Sequence, residues 1–391
     1  MTADLGLLVV GGGPAGLSAA KAYREHGGAG VVRLVSADVY PPYNRPPLSK
    51  DYLRGESGPD VLAMEDESFF GDRAIDLQLD RLVVELDPTG KVAVLDDGER
   101  LTYSACVLAT GSSPVRPPVD GVDHPDVLLL RSRTHAERLR TRAEGAETAV
   151  VVGSGFIGCE AAVSLALRGL QVTMATDETR PQEARLGPDV ARSIAGWLDE
   201  AGVHLMPGQP LESVSEGHVV TLRGGVTLTA DLVLVAAGIA PHAELAEAAG
   251  LDTRESRIVV DEGMRTSAAS LYAAGDVVLA RNATAGRRLS VEHWGEAMRM
   301  GEVAGTNAAG GEDAWAQAPG FWSEIGDHTL KYAAWGDGWD EIRFVEHDRG
   351  AFTAWYGSNG VTVGVLTHDA DEDYERGQEM VEKGSPLPGT E

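Results

Sequence analysis

Two glycine-rich segments are the part of the sequence whose spacing most directly implies chemistry. Residues 11–16 read Gly-Gly-Gly-Pro-Ala-Gly, and residues 153–158 read Gly-Ser-Gly-Phe-Ile-Gly. In a GxGxxG turn the first glycine permits the tight bend, the second lets the backbone approach a pyrophosphate, and the third lets helix and strand pack closely. Each segment predicts a dinucleotide site, against the alternative of a plain glycine-rich turn. The expected contacts are Gly11, Gly13, Pro14, Ala15 and Gly16 in the first copy and Gly153, Gly155, Phe156, Ile157 and Gly158 in the second.

Both segments are flanked by the elements that must position them. Apolar residues 5–10 and 148–152 predict buried parallel strands, and the residues after each turn follow the helical period. Two such βαβ units in one chain predict two dinucleotides. A bound flavin and an exchanging nicotinamide explain the pair, because a hydride donor and its acceptor must meet at one place. The predicted helices are 14–26 and 156–168, and the strands that follow them are 31–36 and 170–175.

The nucleotide preference depends on the residues about 20 positions after each turn, where an acid commonly binds the ribose. In the first copy Ser36 ends the strand and Asp38 follows it. In the second copy an acid would favour NADH and an arginine would favour NADPH, and the sequence offers both. We expect NADH to be favoured. The second-copy candidates are Thr176 at the strand end, Asp177, Glu178 and Arg180.

Composition and charge bear on the class of protein. The chain has 391 residues, 43% hydrophobic and 24% charged, which is typical of a globular enzyme with two or three domains. A net charge of -27 argues against a nucleic-acid partner, since phosphate binding needs clustered basic residues. The apolar run 5–20 could pass for a signal peptide by hydropathy, but it lacks a basic leader and is broken by Gly11, Gly12, Gly13 and Pro14. No later apolar run is long enough to span a membrane, and Cys106 and Cys159 are isolated. We expect a cytoplasmic monomer or homodimer that has no membrane partner and no metal site.

The rest of the chain predicts further strands and a separate last domain. Residues 105–108, 232–236 and 270–274 predict strands that run into small-residue turns, where open parallel sheets bind ligands. From about residue 321, short alternating runs predict a mostly antiparallel domain, and residues 369–391 predict a helix with a loose end. The expected fold is α/β, with two Rossmann-like dinucleotide-binding domains and a small C-terminal α+β domain. The alternating runs are 341–345, 351–356 and 361–367.

Several short motifs add a family resemblance that covers nearly the whole chain. Residues 43–50 read Tyr-Asn-Arg-Pro-Pro-Leu-Ser-Lys, and further matches are Ala109-Thr110-Gly111, Thr266 with Tyr272-Ala273-Ala274-Gly275-Asp276, Val291-Glu292-His293-Trp294 and Phe321-Trp322-Ser323. With these motifs the chain resembles the FAD-dependent ferredoxin and rubredoxin reductases, the putidaredoxin reductase-like branch of the pyridine nucleotide-disulphide oxidoreductases. The resemblance implies an FAD-binding domain in residues 1–112 and 241–316, an NAD(P)H-binding domain in 113–240 and a C-terminal domain in 317–391.

The same resemblance implies roles for single residues. Gly275-Asp276 matches the segment that binds the ribityl and pyrophosphate parts of FAD, although Gly-Asp is also a common turn. Lys50 and Glu160 match a catalytic pair beside the flavin and nicotinamide, although a carboxylate in a first helical turn also suits the helix dipole. For Arg45 and Arg131, which match positions that contact FAD, a solvated side chain is the alternative, and for Trp294 and Trp322, which match aromatics near the isoalloxazine ring, the alternative is core packing. The other matched cofactor-binding residues are Ala109, Thr110, Gly111, Gly238, Glu292 and His293.

The activity implied by the resemblance is electron transfer to a protein. Hydride would pass from NAD(P)H to FAD, and electrons would then pass singly to a ferredoxin or rubredoxin that serves a monooxygenase or dioxygenase. Residues 40–53 contain no cysteine, which argues against disulphide or cysteine-peroxidase chemistry. The alternatives are an NAD(P)H oxidase or quinone reductase, and an apoptosis-inducing-factor-like flavoprotein with a redox-regulated role. Residues 321–326 depart from the Trp-Ser-Asp-Gln form associated with dioxygenase reductases, which leaves the particular acceptor open.

An acidic electron acceptor would need a positive docking surface. Two groups of arginines are candidates. The first lies in residues 131–142, which contain five arginines and one acid, Glu137, and a solvated helix face is the preferred interpretation of it. The second group is Arg287, Arg288 and Arg299.

Overall fold

The largest sheet is built around the strand that precedes the first glycine segment. In the computed structural model, which describes residues 4–389, Asp4–Val10 runs parallel to Val31–Val35 on one side and to Arg100–Leu108 on the other. Leu5, Leu7 and Leu8 are fully buried, as expected for a parallel strand covered on both faces. The strands in spatial order are Ile75–Gln78, Val31–Val35, Asp4–Val10, Arg100–Leu108, Val92–Leu95 and Val83–Asp87, with Leu271–Ala273 parallel to the end of Arg100–Leu108.

Two helices cover this sheet in unusually close contact. Pro14–Glu25, which follows the first glycine segment, packs on Trp294–Ala308. Gly301 and Gly305 make this possible, because a Cβ atom at either position would overlap the backbone of Ala15 or Ala19. Small residues thus fix the distance between the helix behind the first turn and the helix that begins at Trp294.

The second glycine segment lies in a sheet of five parallel strands. Thr148–Val152 is its central strand, and Gln171–Ala175 and Leu232–Val235 lie on either side of it. The predicted strands and helices of both βαβ units agree with the structure to within one residue at each end. The sheet order is His204–Met206, Gln171–Ala175, Thr148–Val152, Leu232–Val235 and Val127–Leu128, and the accompanying helices are Arg133–Ala143, Phe156–Leu167 and Pro188–Glu200.

The last part of the chain forms an antiparallel sheet with one helix, as the alternating runs predict. The prediction of a loose end is wrong for residues 384–389, because this segment packs on the sheet. Leu387 is buried and its N–H donates to Gly360, while Ser385 accepts a hydrogen bond from Thr362. Residues 390–391 lie outside the described part of the chain. The sheet order is Gly320–Ile325, His328–Ala334, Val361–His368, Phe352–Ser358 and Glu341–Glu346, and the helix is Asp371–Lys383.

Smaller elements connect these layers. Ser112–Pro114 pairs with Ile239–Pro241, and the chain passes through this ribbon from the first sheet to the second and back again. Within the described residues every helix is too short or too polar to span a bilayer. The other strands are Leu211–Ser215, Val219–Leu222 and Val226–Thr229 in one sheet and Thr253–Arg254, Arg257–Val260, Val278–Arg281 and Arg288–Leu289 in another. The short helices are Asp51–Arg54, Phe69–Asp72, Glu183–Leu186 and Glu244–Ala248, and the 3-10 turns are Pro46–Ser49, Pro59–Leu62 and Asp348–Gly350.

Candidate functional site

A cleft of about 1490 Å³ lies where the parallel strands of the first two sheets end, and the C-terminal domain contributes part of its wall. Most of the residues predicted from the sequence line it. Gly16, Gly153, Thr176, Asp177 and Arg180 do not belong to its lining. The predicted residues that line the cleft are Gly11, Gly13, Pro14, Ala15, Ser36, Asp38, Arg45, Lys50, Ala109, Thr110, Gly111, Arg131, Gly155, Phe156, Ile157, Gly158, Glu160, Gly238, Gly275, Asp276, Glu292, His293, Trp294 and Trp322.

The first glycine turn leaves room for a ligand against the backbone. Gly11 has a φ of 118°, which a residue with a side chain rarely adopts, and its N–H donates to Val35. A Cβ atom on Gly16 would overlap the carbonyl oxygen of Gly11, so this position is closed by helix packing. A Cβ atom on Gly13 would meet nothing within 4 Å. Gly13 therefore faces open space in the cleft, at the N-terminus of the helix Pro14–Glu25, where a pyrophosphate fits.

Two arginines add positive charge to this end of the cleft. Arg131 forms an ion pair with Asp276 and donates to Ser112 Oγ at 2.9 Å, while its buried Nε has no hydrogen-bond partner within residues 4–389. Arg45 donates to the carbonyl oxygen of Arg131 at 3.0 Å. Burial lowers the pKa of Arg45, and the adjacent Arg131 lowers it further. Two neighbouring cations, one of which has an unpartnered N–H among the described residues, suit a pyrophosphate ligand.

Asp38, the candidate ribose ligand of the first copy, is held in place by two tyrosines. Its carboxylate accepts hydrogen bonds from Tyr43 Oη at 2.8 Å and from the N–H of Tyr40 at 3.2 Å. Burial raises the pKa of Tyr43 to about 12, so its hydroxyl remains a donor at neutral pH. Ser36 Oγ accepts from the N–H of Asp38 at 3.2 Å. Asp38 and Ser36 both line the cleft, which agrees with a ribose-binding role.

Lys50 and Glu160 form a buried ion pair in the wall of the cleft. Lys50 Nζ lies 2.7 Å from Glu160 Oε2, and the two residues are only 7% and 4% exposed. Ser49 donates to the same carboxylate oxygen at 2.6 Å, and Ser323, from the C-terminal domain, donates to the other oxygen at 2.6 Å. Three donors from two parts of the chain, the adjacent residues Ser49 and Lys50 and the distant Ser323, therefore fix the orientation of the Glu160 carboxylate.

Aromatic side chains surround the cleft near this pair. Phe321 lies 4.7 Å from the ring of Phe156 and 4.5 Å from the imidazole of His293. Burial lowers the pKa of His293 to about 3, and the positive charge of Arg185 acts in the same direction. The buried Nδ1 of His293 has no hydrogen-bond partner in the described part of the chain. His293 is therefore neutral at physiological pH. Trp322, at the end of the cleft, is 44% exposed to solvent.

The second glycine turn has an acid, Glu178, close to it, three residues beyond the strand Gln171–Ala175 and outside the lining of the cleft. Ser154 Oγ donates to Glu178 Oε2 at 3.1 Å, and the N–H of Gln182 donates to the same oxygen at 2.8 Å. Thr176 is buried and shares a hydrogen bond of 2.6 Å with Ser154 Oγ. Asp177 is exposed. Arg180 lies 3.2 Å from the carboxylate of Glu183, to which it is paired.

The arginines of the two docking candidates are largely engaged within the protein. Arg133 pairs with Glu137 at 2.7 Å, Arg142 pairs with Asp126, and Arg131 lies in the cleft rather than on a docking face. Arg287 pairs with Asp337 and Arg299 with Glu296. Arg138 donates to the carbonyl oxygen of Pro125 and Arg140 lies over the ring of Tyr52, so that, among the described residues, Arg138, Arg140 and Arg288 have no ion-pair partner. These contacts reduce the positive charge that either group could offer.

The structure also places residues at the site that the sequence analysis did not select. Ser49 and Ser323 lie within the quoted motifs, so their positions were visible although their hydrogen bonds to Glu160 were not. Gln182 and Arg185 line the cleft beside the second turn, and no local pattern marks either of them. Their position depends on how the short helix Glu183–Leu186 packs, which is a tertiary property.

Two glycine turns that open into one cleft, with cations beside the first and an ion pair between them, define an oxidoreductase that binds two dinucleotides. The family model described as pyridine nucleotide-disulphide oxidoreductase matches residues 6–301. The chain belongs to this family and is an FAD-dependent oxidoreductase that uses NAD(P)H.

Individual relatives cover most of the chain. The rubredoxin-NAD(+) reductase of Pseudomonas putida is 34% identical over 331 residues, which are 84% of this chain and 86% of the relative. The crystal structure of the ferredoxin reductase for the CYP199A2 system of Rhodopseudomonas palustris has a TM-score of 0.92 at 30% identity, covering 97% of this chain and 95% of its own. The crystal structure of the covalent putidaredoxin reductase-putidaredoxin complex also has a TM-score of 0.92, at 28% identity, and the match covers 99% of this chain and 94% of the matched chain.

Proposed function

We propose that this enzyme transfers electrons from NADH, through FAD, to a small iron-sulfur protein of the ferredoxin or rubredoxin type. The observation that carries the proposal is the cleft itself, which joins two dinucleotide turns to the partly exposed Trp322. Both cysteines, Cys106 and Cys159, are buried in the core, and neither lines the cleft. A protein acceptor agrees with the relatives, which are reductases of rubredoxin and ferredoxin.

The flavin supplies the redox chemistry when it is bound, by accepting hydride and releasing electrons one at a time. The residues of this chain bind and orient. Gly13 lets the pyrophosphate approach, Arg45 and Arg131 neutralise it, and Asp38 accepts from the ribose. Lys50 and Glu160 present a fixed ammonium and carboxylate to the nicotinamide side of the cleft. Neutral His293 contributes a polar edge without adding charge.

The proposal includes the domain division expected from the sequence. Residues 1–112 and 241–316 would bind FAD, residues 113–240 would bind the nicotinamide nucleotide, and residues 317–391 would form the C-terminal domain. The ribbon of Ser112–Pro114 with Ile239–Pro241 supports these boundaries, because the chain leaves and re-enters the first sheet there. Service to a monooxygenase or dioxygenase and a reducing cytoplasmic location complete the proposal, and the two free buried cysteines favour that location.

NADH is favoured because of Glu178. Its carboxylate is fixed by Ser154 and Gln182 beside the second glycine turn, where it would accept hydrogen bonds from ribose hydroxyls and repel a 2′-phosphate. Arg180, the alternative ligand for a 2′-phosphate, is paired with Glu183.

Changing Glu178 to glutamine is expected to reduce the preference for NADH over NADPH by about tenfold, since one negative charge beside the 2′-phosphate is lost. The measurement is the ratio of kcat/KM for the two nucleotides in anaerobic flavin reduction. Asp177→Asn, at the exposed neighbouring carboxylate, should change this ratio less. A larger change in Asp177→Asn than in Glu178→Gln would contradict the assignment.

An anaerobic titration of the oxidised flavoprotein with NADH and with NADPH tests the proposed function. Bleaching of the flavin by NADH is expected, and its absence with both nucleotides would refute hydride transfer. Rapid reoxidation by oxygen or quinone alone would favour the oxidase alternative, and slow turnover with every acceptor would favour a redox-regulated role.

A further inference from the structure

Arg185 is a cleft-lining cation that has no acidic partner in the part of the chain that the structure describes. It reaches the cleft from the short helix Glu183–Leu186. Arg180 and Arg192, on either side of it in the chain, pair with Glu183 and Asp189. Among the described residues, no carboxylate forms an ion pair with the guanidinium of Arg185 and no acceptor takes a hydrogen bond from it. Arg185 is exposed at the cleft wall, and in a chain with a net charge of -27 its guanidinium is a set of donors open to a ligand.

Aromatic rings determine where this guanidinium lies. Its central carbon is 5.6 Å from the ring centre of Phe156, 5.4 Å from that of Phe321 and 5.8 Å from that of Tyr332. These are cation-π distances. The backbone is also anchored, since Trp339 Nε1 donates to the carbonyl oxygen of Arg185 at 3.1 Å. Phe156 is the first residue of the helix Phe156–Leu167, so Arg185 lies beside the helix terminus that follows the second glycine turn.

The two glycine turns differ in their other cations. The first turn shares its end of the cleft with Arg45 and Arg131. Near the second turn, Lys50 is committed to Glu160 and Arg180 to Glu183. A pyrophosphate at the second turn would carry two negative charges, and a guanidinium suits phosphate oxygens because it offers a planar set of donors. Arg185 is the cleft-lining cation near this turn that is free to provide them.

We propose that Arg185 binds the pyrophosphate of the nicotinamide nucleotide at the second glycine turn. This inference rests on the proposed function, because it takes that nucleotide as the ligand of the turn. Arg185 and the backbone N–H groups of the helix terminus would then hold opposite sides of the same phosphate pair. The rings of Phe156, Phe321 and Tyr332 orient the guanidinium, which reduces the entropy lost on binding.

The test is a calorimetric titration of the FAD-loaded enzyme with ADP-ribose, which has the pyrophosphate but no nicotinamide. Arg185→Gln is expected to raise the Kd of ADP-ribose about tenfold, the loss of one charged contact to phosphate. Arg185→Lys keeps the charge without the planar donor set and should raise the Kd by a smaller factor, about threefold. Arg192→Gln, a matched loss of an exposed arginine in the same domain, should leave the Kd unchanged.

A Kd for Arg185→Gln within about twofold of the wild type would overturn the proposal. Equal weakening in Arg192→Gln would also overturn it, because the effect would then be one of general charge. If Arg185→Gln does not fold, Arg185→Lys decides the question. A Kd for ADP-ribose that is unchanged in Arg185→Lys, with an unchanged dependence of this Kd on salt concentration, would overturn the proposal. ADP-ribose binding needs no hydride transfer, so failure of the proposed function, seen as no bleaching by NADH or NADPH, is distinguishable.

Discussion

Replacing Glu160 with leucine is expected to lower the free energy of unfolding by about 3–5 kcal/mol, because it leaves the ammonium of Lys50 buried without its partner. Lys50→Met should cost a similar amount, since the Glu160 carboxylate then keeps only the hydroxyls of Ser49 and Ser323. Both variants should also slow flavin reduction by NADH at least tenfold, if the pair lies beside the nicotinamide. Denaturant unfolding and anaerobic stopped-flow absorbance measure the two effects.

The double variant Lys50→Met/Glu160→Leu separates stability from activity. With both charges gone, most of the lost stability should return, and about 1–3 kcal/mol should remain missing because the two serine hydroxyls have lost their acceptor. Flavin reduction should remain slow. Lys331→Met, which removes an exposed pair with Asp371, should cost about 1 kcal/mol or less. A double variant with wild-type flavin reduction would show that the pair has no part in the reaction.

Gly13→Ala is expected to fold normally and to lose affinity for FAD by at least about tenfold. The φ and ψ angles of Gly13, -80° and -175°, suit alanine, and the added Cβ atom meets nothing within 4 Å in the protein itself. It would instead occupy the space through which the pyrophosphate approaches the backbone. The FAD content of the purified protein and the Tm of the FAD-free protein together measure this result.

Gly16→Ala is the matched comparison. Here the Cβ atom would overlap the carbonyl oxygen of Gly11, so the FAD-free protein should itself be destabilised. If Gly13→Ala retained FAD like the wild type, the pyrophosphate would not approach the backbone at Gly13. If Gly16→Ala left the FAD-free protein as stable as the wild type, the packing explanation for the third glycine would be wrong.

Local rules explain why the fold could be predicted so closely around the glycine turns. A buried apolar strand, a turn that needs a positive φ at Gly11 and Gly153, and a helix with small residues facing the strand specify one geometry within about thirty residues. The structure of residues 384–389 was harder to predict from the sequence. Residues 384–389, Gly-Ser-Pro-Leu-Pro-Gly, look loose in sequence because glycine and proline interrupt regular structure, but Leu387 is buried against a sheet formed by earlier residues.

The functional site, too, could be predicted only in part from the sequence. Ser323 is 163 residues from Glu160, and Arg185 reaches the aromatic rings only because its short helix packs against Trp339. No rule of sequence spacing predicts that such residues lie together, because their proximity depends on how the domains assemble. The acid beside the second turn is Glu178 rather than the residue at the strand end, because Ser154 and the N–H of Gln182 draw its carboxylate to the turn. These contacts are decided by loop geometry, which the sequence does not display.

The most direct test of the central claim is to reduce the flavoprotein anaerobically with one equivalent of NADH and then to add an oxidised [2Fe-2S] ferredoxin or a rubredoxin. We predict that the flavin is bleached by NADH and that its absorbance returns on mixing with the iron-sulfur protein, with two molecules of the acceptor reduced for each NADH oxidised. A flavin that NADH bleaches, but that neither iron-sulfur protein reoxidises while oxygen or a quinone does so rapidly, would contradict the account.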